Sequence, residues 1–364
     1  MQLIDRYLLR TVVLSGLGAS VVFLVLIFVF GLLDEASKVD ARYRWTHAFL
    51  FVTYTAPGYL YEFFPVAVLV GALLGLGALN AHSELTVMRA TGLSIMRLAR
   101  PVLLGGVLLA LLGSLMGETI GAKGQVEASS MRAQNMERSV SVGLGSGIWL
   151  RNGPLVINAE RALVTGVLFS VRLIHLDEQH RPIRIETAER AVSEGGSRWR
   201  LENVQQINLS ENPQDAIERR HFSERKGQEL FDRQVLDIAV LNPRYLNIAQ
   251  LYEYVSYLEA NDLDSSVYAT AMYSRLFQPL SVVAMLLLTL PFVFVSQRGG
   301  NAGRWLFIGI LMGLGYMTAN QIVTALTPAF GIPPWMSIAA LPLGVIVLAI
   351  AVMLQLNPAR RKNE

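Results

Sequence analysis

Six stretches of the chain are apolar over lengths that can cross a membrane, and they fall into two groups of three. A transmembrane α-helix needs about 20 predominantly apolar residues, because the hydrocarbon core of a bilayer is about 30 Å thick. Such stretches lie at 11–33, 52–80 and 101–124, and again at 266–295, 303–325 and 333–356. The intervening segment, 125–265, is polar and has no apolar run of that length. The sequence therefore predicts an α-helical membrane protein with six transmembrane helices (3+3) and an inserted domain outside the bilayer.

The composition agrees with this class of protein. Hydrophobic residues make up 52% of the 364 residues and charged residues only 16%, with a mean hydropathy of +0.41. The absence of cysteine excludes disulfides and thiolate metal sites. The first apolar stretch is longer than the core of a signal peptide and lacks a cleavage pattern of small residues, so we expect it to remain as a membrane anchor.

The distribution of Lys and Arg predicts the orientation, because short cytoplasmic loops carry an excess of both. If both termini are cytoplasmic, that side holds about ten such residues near the span ends and the opposite side about three. The ten are Arg6, Arg10, Arg89, Arg97, Arg100, Arg298, Arg304, Arg360, Arg361 and Lys362, and the three are Lys38, Arg42 and Arg44. We therefore expect the segment 125–265 to lie outside the cytoplasm. The basic pI, near 9.1, then reflects topology and gives no support for a nucleic-acid partner.

The inserted segment has the pattern of a β domain. Short runs with partial alternation are separated by turn signals such as Asn152-Gly153, which predicts a sandwich or jelly roll. The predicted strands are Gly147–Leu150, Leu155–Ala159, Leu168–Leu176, Ile183–Ala191 and Trp199–Leu209. After Pro243 the apolar residues recur at helical spacing, at Ile248, Leu251, Tyr252, Val255 and Leu258. This spacing predicts an amphipathic helix that leads into the fourth span.

A polar stretch, Ser83–Arg100, separates the second and third spans, and we call it the polar island. We expect one helix over Glu84–Ala99, with Ser83 as its N-cap and Glu84 in its first turn. Leu85, Met88, Leu93 and Met96 then share one broad side. Two interpretations stay open: the island is a docking surface for another protein, or it is an amphipathic connector that rests on the lipid surface.

Two other features of the spans allow more than one interpretation. Pairs of glycines four residues apart occur at Gly71/Gly75, Gly113/Gly117 and Gly309/Gly313; they permit close helix contact, either within the chain or between subunits. Glu118 lies near the outer end of its span, where its carboxylate can reach the interface, and Arg275 begins the fourth span, where it can face a polar cavity or bond a neighbouring helix.

No motif for catalysis is present. The chain lacks the G-x-x-x-x-G-K-[ST] loop that cradles a nucleotide, the H-E-x-x-H zinc motif and the G-x-S-x-G nucleophile turn. We therefore expect no enzyme activity and no bound cofactor or metal in this chain.

Several local sequences resemble one family over nearly the whole chain. They are Ile4-Asp5-Arg6-Tyr7, Phe64-Pro65 followed by GALLGLG at 71–77, SELTVMRATG at 83–92, Arg132-Ala133-Gln134, LFQPLS at 276–281 and FGIPP at 330–334. They are similar to the LptF/LptG family of permeases, the membrane halves of the ABC transporter that extracts lipopolysaccharide from the bacterial inner membrane.

The resemblance implies a set of partners and a division of the chain. Such permeases pair as one LptF and one LptG on a dimer of the ATPase LptB, where ATP and Mg²⁺ bind; LptC adds a helix and passes lipid toward LptA. It implies a periplasmic β-jelly-roll-like domain at 125–265, including the connecting helix, between transmembrane parts at 1–124 and 266–364. It also implies a multi-pass protein of the inner membrane with both termini cytoplasmic.

The resemblance also implies roles for particular residues. The island matches the family's coupling helix, placed at 83–99, with Ser83, Glu84, Leu85, Met88 and Arg89 as the ATPase-coupling residues. Glu84 is expected to pair with a basic group of the ATPase.

For the lipid, the resemblance places Lys38 and Arg132 at lipid A phosphates, although solvated charge is the alternative for either. Phe63 and Phe64 are expected to line the cavity for acyl chains, or equally to pack in the core. The chain departs from the family pattern at Gly31, Ser37 and Ser129, where some relatives have basic residues.

Two other classes of protein remain possible from the sequence. A permease of the lipoprotein-releasing kind would be expected to have four spans, and the hydropathy count of six speaks against it. A membrane scaffold without a transport role would show no associated ATPase.

Overall fold

The computed structural model describes residues 3–40, 43–136, 147–163, 166–177, 179–209, 218–233, 235–236, 242–295 and 302–355. Arg42, Arg298, Arg360, Arg361 and Lys362, which entered the orientation argument, lie outside these ranges. By contacts between Cα atoms the chain divides into two compact units. One, the membrane unit, comprises Met1–Val39, Ala48–Gln125 and Ala269–Glu364; the other, the sheet unit, comprises Asp40–His47 and Val126–Tyr268.

Six helices in the described ranges are long and apolar enough to cross a membrane, which confirms the six predicted spans. The long helices are α1 (Leu3–Ala36), α2 (Trp45–Ala81), α4 (Ile95–Met116), α7 (Ser266–Val295), α8 (Ala302–Ala329) and α9 (Pro334–Gln355). A short helix, α3 (Glu84–Ala90), lies between α2 and α4, and α4 continues through a π-helical turn (Gly117–Gly121) into α5 (Ala122–Met136).

Helix α2 is the centre of the membrane unit, because 72% of its most apolar window is buried against 17% in α1 and in α8. The glycine pairs explain how the neighbouring helices approach α2 closely. A Cβ at Gly71 would overlap the backbone of α1 at Ser15 and Gly16. Gly113 faces the ring of Phe64 on α2, and Gly313 faces Val66 on the same helix. These glycines therefore serve packing within the chain, the first of the two interpretations that their spacing left open.

The sheet unit contains one six-stranded antiparallel sheet in the order β1-β2-β3-β4-β5-β6. The strands are β1 (Ile148–Asn152), β2 (Leu155–Leu163), β3 (Val167–Leu176), β4 (Pro182–Gly195), β5 (Arg198–Asn208) and β6 (Glu218–Glu229). This confirms an inserted β domain with strands at the five predicted places. Within the described strands the order is that of a meander, in which each strand pairs with the next along the chain.

One face of the sheet is buried, and it carries the alternating apolar residues that predicted the strands. Ile157 on β2 pairs with Leu173 on β3, and both are about 1% exposed. Trp199 on β5 is fully buried, and its ring nitrogen donates a hydrogen bond of 2.9 Å to the carbonyl of Phe231. Strand β6 was not predicted, because its sequence ERRHFSERKGQE is almost entirely polar. Charged residues on an edge strand of this kind prevent pairing with other chains.

The predicted amphipathic helix is α6 (Ile248–Ala260), and it follows a 3₁₀ turn at Pro243–Tyr245. Asn247 and Gln250 form a capping box: each side chain accepts a hydrogen bond from the other residue's backbone amide. The buried face consists of Leu251, Tyr254, Val255 and Leu258. Tyr252, which we placed on this face, is 66% exposed, because the buried stripe at i, i+3, i+4 and i+7 starts at Leu251 and leaves Tyr252 to one side.

Candidate functional site

The polar island consists of two helical segments joined by a turn. Helix α3 has only seven residues; it ends at Ala90, and Thr91 is its C-cap. Gly92 follows with φ +91°, a conformation that interrupts a helix and favours glycine. Ser94 is then the N-cap of α4, and its hydroxyl oxygen accepts a hydrogen bond from the amide of Arg97 at 3.3 Å. The expectation of one continuous helix over Glu84–Ala99 is therefore wrong, because the Thr91-Gly92 turn and the Ser94 cap divide it.

Ser83 does not cap α3 as we expected. Its backbone is left-handed, with φ 61°, and its side chain makes no capping hydrogen bond. An N-cap residue needs an extended backbone to direct its side chain at the amides of the first turn. The first turn of α3 is therefore held by contacts to other helices.

The inner side of α3 is fixed by Leu85, which is 2% exposed. Leu85 lines an apolar gap together with Leu8 of α1, Leu98 of α4 and Phe294 of α7. Met88 and Leu93 pack against the same core, whereas Met96 is 40% exposed. Leu85 therefore anchors α3 to the membrane unit and is not on its outer surface.

The outer side of α3 is exposed along its length. Val87 is 61% exposed, and Thr86, Ala90 and Thr91 are exposed around it. We call these four residues the outer face of α3. A small, rigidly anchored and partly apolar surface of this kind is suited to contact another protein.

Glu84 is joined to the first helix by a hydrogen bond. The hydroxyl of Tyr7 donates to Glu84 Oε2 at 2.8 Å, and Glu84 is half-buried. Tyr7 belongs to the family-like segment Ile4-Asp5-Arg6-Tyr7, but no role was predicted for it. Nothing in the local pattern signals this contact, because the two residues are 77 positions apart.

Two further contacts tie the island to the membrane unit. The guanidinium of Arg89 lies 5.7 Å from the centre of the Phe294 ring, within the range of a cation–π interaction. Arg97 at the start of α4 forms an ion pair with Asp5 of α1, with 3.1 Å between Nη2 and Oδ2. The island is thus attached to α1 and α7 by aromatic, ionic and apolar contacts together.

Lys38 stands just beyond α1, where two carboxylates hold it. Its Nζ is 2.6 Å from Asp34 Oδ2 and 2.9 Å from Glu35 Oε1. Asp34 is largely exposed, whereas the Glu35 side chain is only 3% exposed. An anionic ligand at Lys38 therefore has to compete with two acids of the same chain.

The other predicted lipid contacts fall in different environments. Phe64 is 4% exposed and its ring covers Gly113 of α4, so it is a core residue. Phe63 beside it is half-buried, as is Arg132 on α5. Lys38 belongs to the membrane unit and Arg132 to the sheet unit.

A polar contact inside the membrane unit links Glu118 and Arg275. Glu118 lies in the π-helical turn and Arg275 on α7, with 2.8 Å between Oε1 and Nη1. The Arg275 guanidinium is 5.3 Å from the centre of the Tyr61 ring, and Gln278 Nε2 donates to the Tyr61 carbonyl at 2.9 Å. The sequence analysis noted each of these two ionisable residues separately and did not pair them. Their opposite charges within membrane-spanning segments could have predicted the pair, because such residues commonly pair with one another.

No group of three or more His, Asp or Glu residues suited to a metal occurs in the ranges that the structure describes. Two sets of three spans, an inserted sheet and a short anchored helix between spans two and three define a multi-pass membrane protein. The chain belongs to the lipopolysaccharide export system permease LptF/LptG family, whose model matches residues 6–355.

The relatives found in the comparison are LptG proteins. The chain is 30% identical over 333 residues to the lipopolysaccharide export system permease protein LptG of Escherichia coli K12, covering 91% of this chain and 92% of that protein. It is 28% identical to the protein of the same name from Haemophilus influenzae, with the same coverage. Members of this family are transport subunits and not enzymes, and the chain is a multi-pass protein of the inner membrane.

Proposed function

We propose that this chain is the LptG-type permease subunit of an ABC transporter that extracts lipopolysaccharide from the inner membrane. The observation that carries the proposal is the outer face of α3, held on the membrane unit by the buried Leu85 in a chain that the family model matches over residues 6–355. The partners are an LptF-type permease, an LptB-type ATPase dimer that binds ATP and Mg²⁺, an LptC-type protein and, onward, an LptA-type bridge.

The orientation follows the positive-inside bias. Both termini and α3 face the cytoplasm, and the segment 125–265 faces the periplasm, between transmembrane parts at 1–124 and 266–364. Arg89, Arg97 and Arg100 then all lie on the cytoplasmic side, where the ATPase is.

Coupling involves both sides of α3. Val87 and its exposed neighbours enter a groove of the ATPase, together with Ser83 at the start of the helix. Glu84 pairs with a basic group there, and a charge-assisted hydrogen bond of this kind is stronger than a neutral one. Leu85, Met88 and Arg89 act from the inner side: they transmit the movement of α3 to the core, because all three contact the membrane unit.

The substrate contacts are Lys38 and Arg132 for phosphates and Phe63 and Phe64 for acyl chains. To bind a phosphate, Lys38 has to give up its ion pairs with Asp34 and Glu35. Its contribution to the affinity for phosphate is therefore smaller than that of a lysine without such ion pairs. Phe64 acts through packing against Gly113, and the half-buried Phe63 makes the direct apolar contact.

Transport is the extrusion of a lipid from a closing cavity. Lipopolysaccharide enters laterally between two permeases, and ATP-driven closure, transmitted through α3, moves it into the periplasmic jelly roll of one of the two permeases. Exposing acyl chains to water costs about 0.8 kcal/mol per CH₂, so extraction requires both an energy source and an apolar path.

The test is assembly and activity of the complete complex. The chain should retain an ATPase during purification, and lipopolysaccharide should stimulate ATP hydrolysis in reconstituted vesicles. Val87→Asp should abolish retention of the ATPase, while the isosteric Val87→Thr should preserve it. Purified chain that carries no ATPase, or an ATPase that lipopolysaccharide does not stimulate, would exclude the proposal in favour of a scaffold.

A further inference from the structure

The carboxylate of Glu84 is positioned by a residue of a different helix. Glu84 is the first residue of α3, and Ser83 before it is left-handed and does not cap the helix. In the ranges that the structure describes, the hydroxyl of Tyr7 makes the side-chain hydrogen bond to Glu84, at Oε2. The second oxygen, Oε1, is left for another donor.

Tyr7 is one of three adjacent contacts between the first turns of α1 and the island. Leu8 lies beside Leu85 in the same apolar gap, and Asp5 pairs with Arg97 at 3.1 Å. Residues 5, 7 and 8 thus reach both helical segments of the island. Beyond these turns α1 is the least buried of the six spans, together with α8.

We propose that Tyr7 is a positioning residue for coupling: its hydroxyl holds Glu84 Oε2, turns Oε1 toward a cationic group of the ATPase, and joins α1 to α3. The inference rests on the proposed function, in which Glu84 meets the ATPase. A hydrogen bond to an ionised carboxylate is stronger and more directional than one between neutral groups. It therefore fixes the carboxylate of a short helix that has no cap of its own.

This arrangement makes α1 a second route for the movement of α3. Leu85 transmits displacement to the packed core, whereas Tyr7 transmits it to a span whose surface is mostly open to lipid or to another subunit. Loss of the hydroxyl should leave the fold and the outer face of α3 in place and weaken the link between ATP hydrolysis and lipid release.

The experiment uses the complete transporter in vesicles of inner-membrane lipid and lipopolysaccharide. Tyr7→Phe removes one oxygen and keeps the ring. We expect ATPase retention close to wild type and a fall of about fivefold in lipopolysaccharide released per ATP, the effect of about one hydrogen bond. Tyr59→Phe, the same change at another exposed tyrosine of the membrane unit, serves as the control and should leave the ratio unchanged.

A double-mutant cycle separates positioning from a general structural role. If Tyr7 acts through Glu84, adding Tyr7→Phe to Glu84→Ala lowers the ratio no further. Glu84→Asp withdraws the carboxylate by one methylene, so it should reproduce the Tyr7→Phe defect with Tyr7 intact. An unchanged ratio in Tyr7→Phe, or defects that add in the double variant, would overturn the inference alone. A wild-type complex without an ATPase or without release would overturn the proposed function as well.

Discussion

Arg275 and Glu118 form an ion pair of 2.8 Å between the fourth span and the π-helical turn that ends the third. Their side chains are 9% and 24% exposed, and Tyr61 of α2 covers the guanidinium at 5.3 Å. Three helices of the membrane unit therefore meet at this charged contact. Glu118 faces Arg275 from within the π-helical turn. Such turns occur frequently at functional positions.

Removing one partner of this pair should destabilise the membrane unit. Glu118→Gln leaves the buried guanidinium without its counter-charge, and we expect a loss of about 3 kcal/mol. The double variant Glu118→Gln/Arg275→Met should recover a large part of that loss, because no uncompensated charge remains. Thermal unfolding in detergent measures both. Glu62→Gln, at an exposed glutamate of α2, is the control; equal losses at Glu62 and Glu118 would contradict the argument.

The crossing of α1 and α2 should tolerate no side chain at Gly71. A methyl group there would overlap the carbonyl of Ser15, so Gly71→Ala should cost about 2 kcal/mol or more by forcing the helices apart. Gly18 on α1 has no atom within 4 Å of the corresponding position, and Gly18→Ala should be neutral or slightly stabilising. Both substitutions add the same methyl group to a helix, and they differ in the space that is available to it. Equal unfolding temperatures would show that the helices do not cross as closely as described.

Acid should weaken the sheet unit through His175. Burial holds the pKa of His175 below its usual range; the nearby Glu186 opposes this effect, whereas Arg184 and Arg225 reinforce it. A His whose pKa is lowered on folding binds its proton more readily in the unfolded state, so stability is complete above about pH 6.5 and falls as the pH drops toward the folded pKa.

Hydrogen exchange of the β3 and β4 amides in the full chain measures this loss, after correction for the intrinsic effect of pH on exchange. His175→Gln should flatten the dependence between about pH 6.5 and the lower pKa. His221→Gln, at an exposed position of β6, should leave it unaltered. A His175→Gln variant with the wild-type dependence would assign the acid effect to other groups.

The capping box of α6 should contribute measurably to the stability of that helix. Asn247→Ala removes the acceptor of the Gln250 amide hydrogen bond, which is 2.8 Å long, and should cost about 1 kcal/mol. Asn247→Ser keeps a capping oxygen and should cost less. Exchange of the α6 amides tests both; equal protection in the two variants would show that the cap does not hold the helix.

The spans and the first five strands were predictable because each depends on a local pattern. Long apolar runs suffice for α1, and alternation of buried residues such as Ile157 suffices for β2. Strand β6 was missed because its place depends on pairing with β5 and not on its own composition. Tyr252 was wrongly assigned to the buried face, since over only three turns the apolar pattern does not define exactly where the centre of the stripe lies.

The island shows a different limit of sequence analysis. Its amphipathic pattern correctly predicted an apolar side. The pattern did not say whether that side faces another protein or the chain's own core; in the structure Leu85 is buried in the core. The break at Gly92 depends on a backbone conformation that glycine permits without requiring it. Contacts such as Tyr7 with Glu84 join distant segments, and the pattern of residues within a single sequence holds no signal for them.

The ties between α1 and the island also set an order of events during biosynthesis. Tyr7 and Asp5 leave the ribosome first, but their partners Glu84 and Arg97 follow only 77 and 92 residues later. Neither tie can therefore form before the chain has been synthesised through the whole of α2. The Tyr7–Glu84 contact needs the hairpin of α1 and α2, and the Asp5–Arg97 contact needs the start of the third span as well, so the two contacts become available one after the other as the first half of the chain is made.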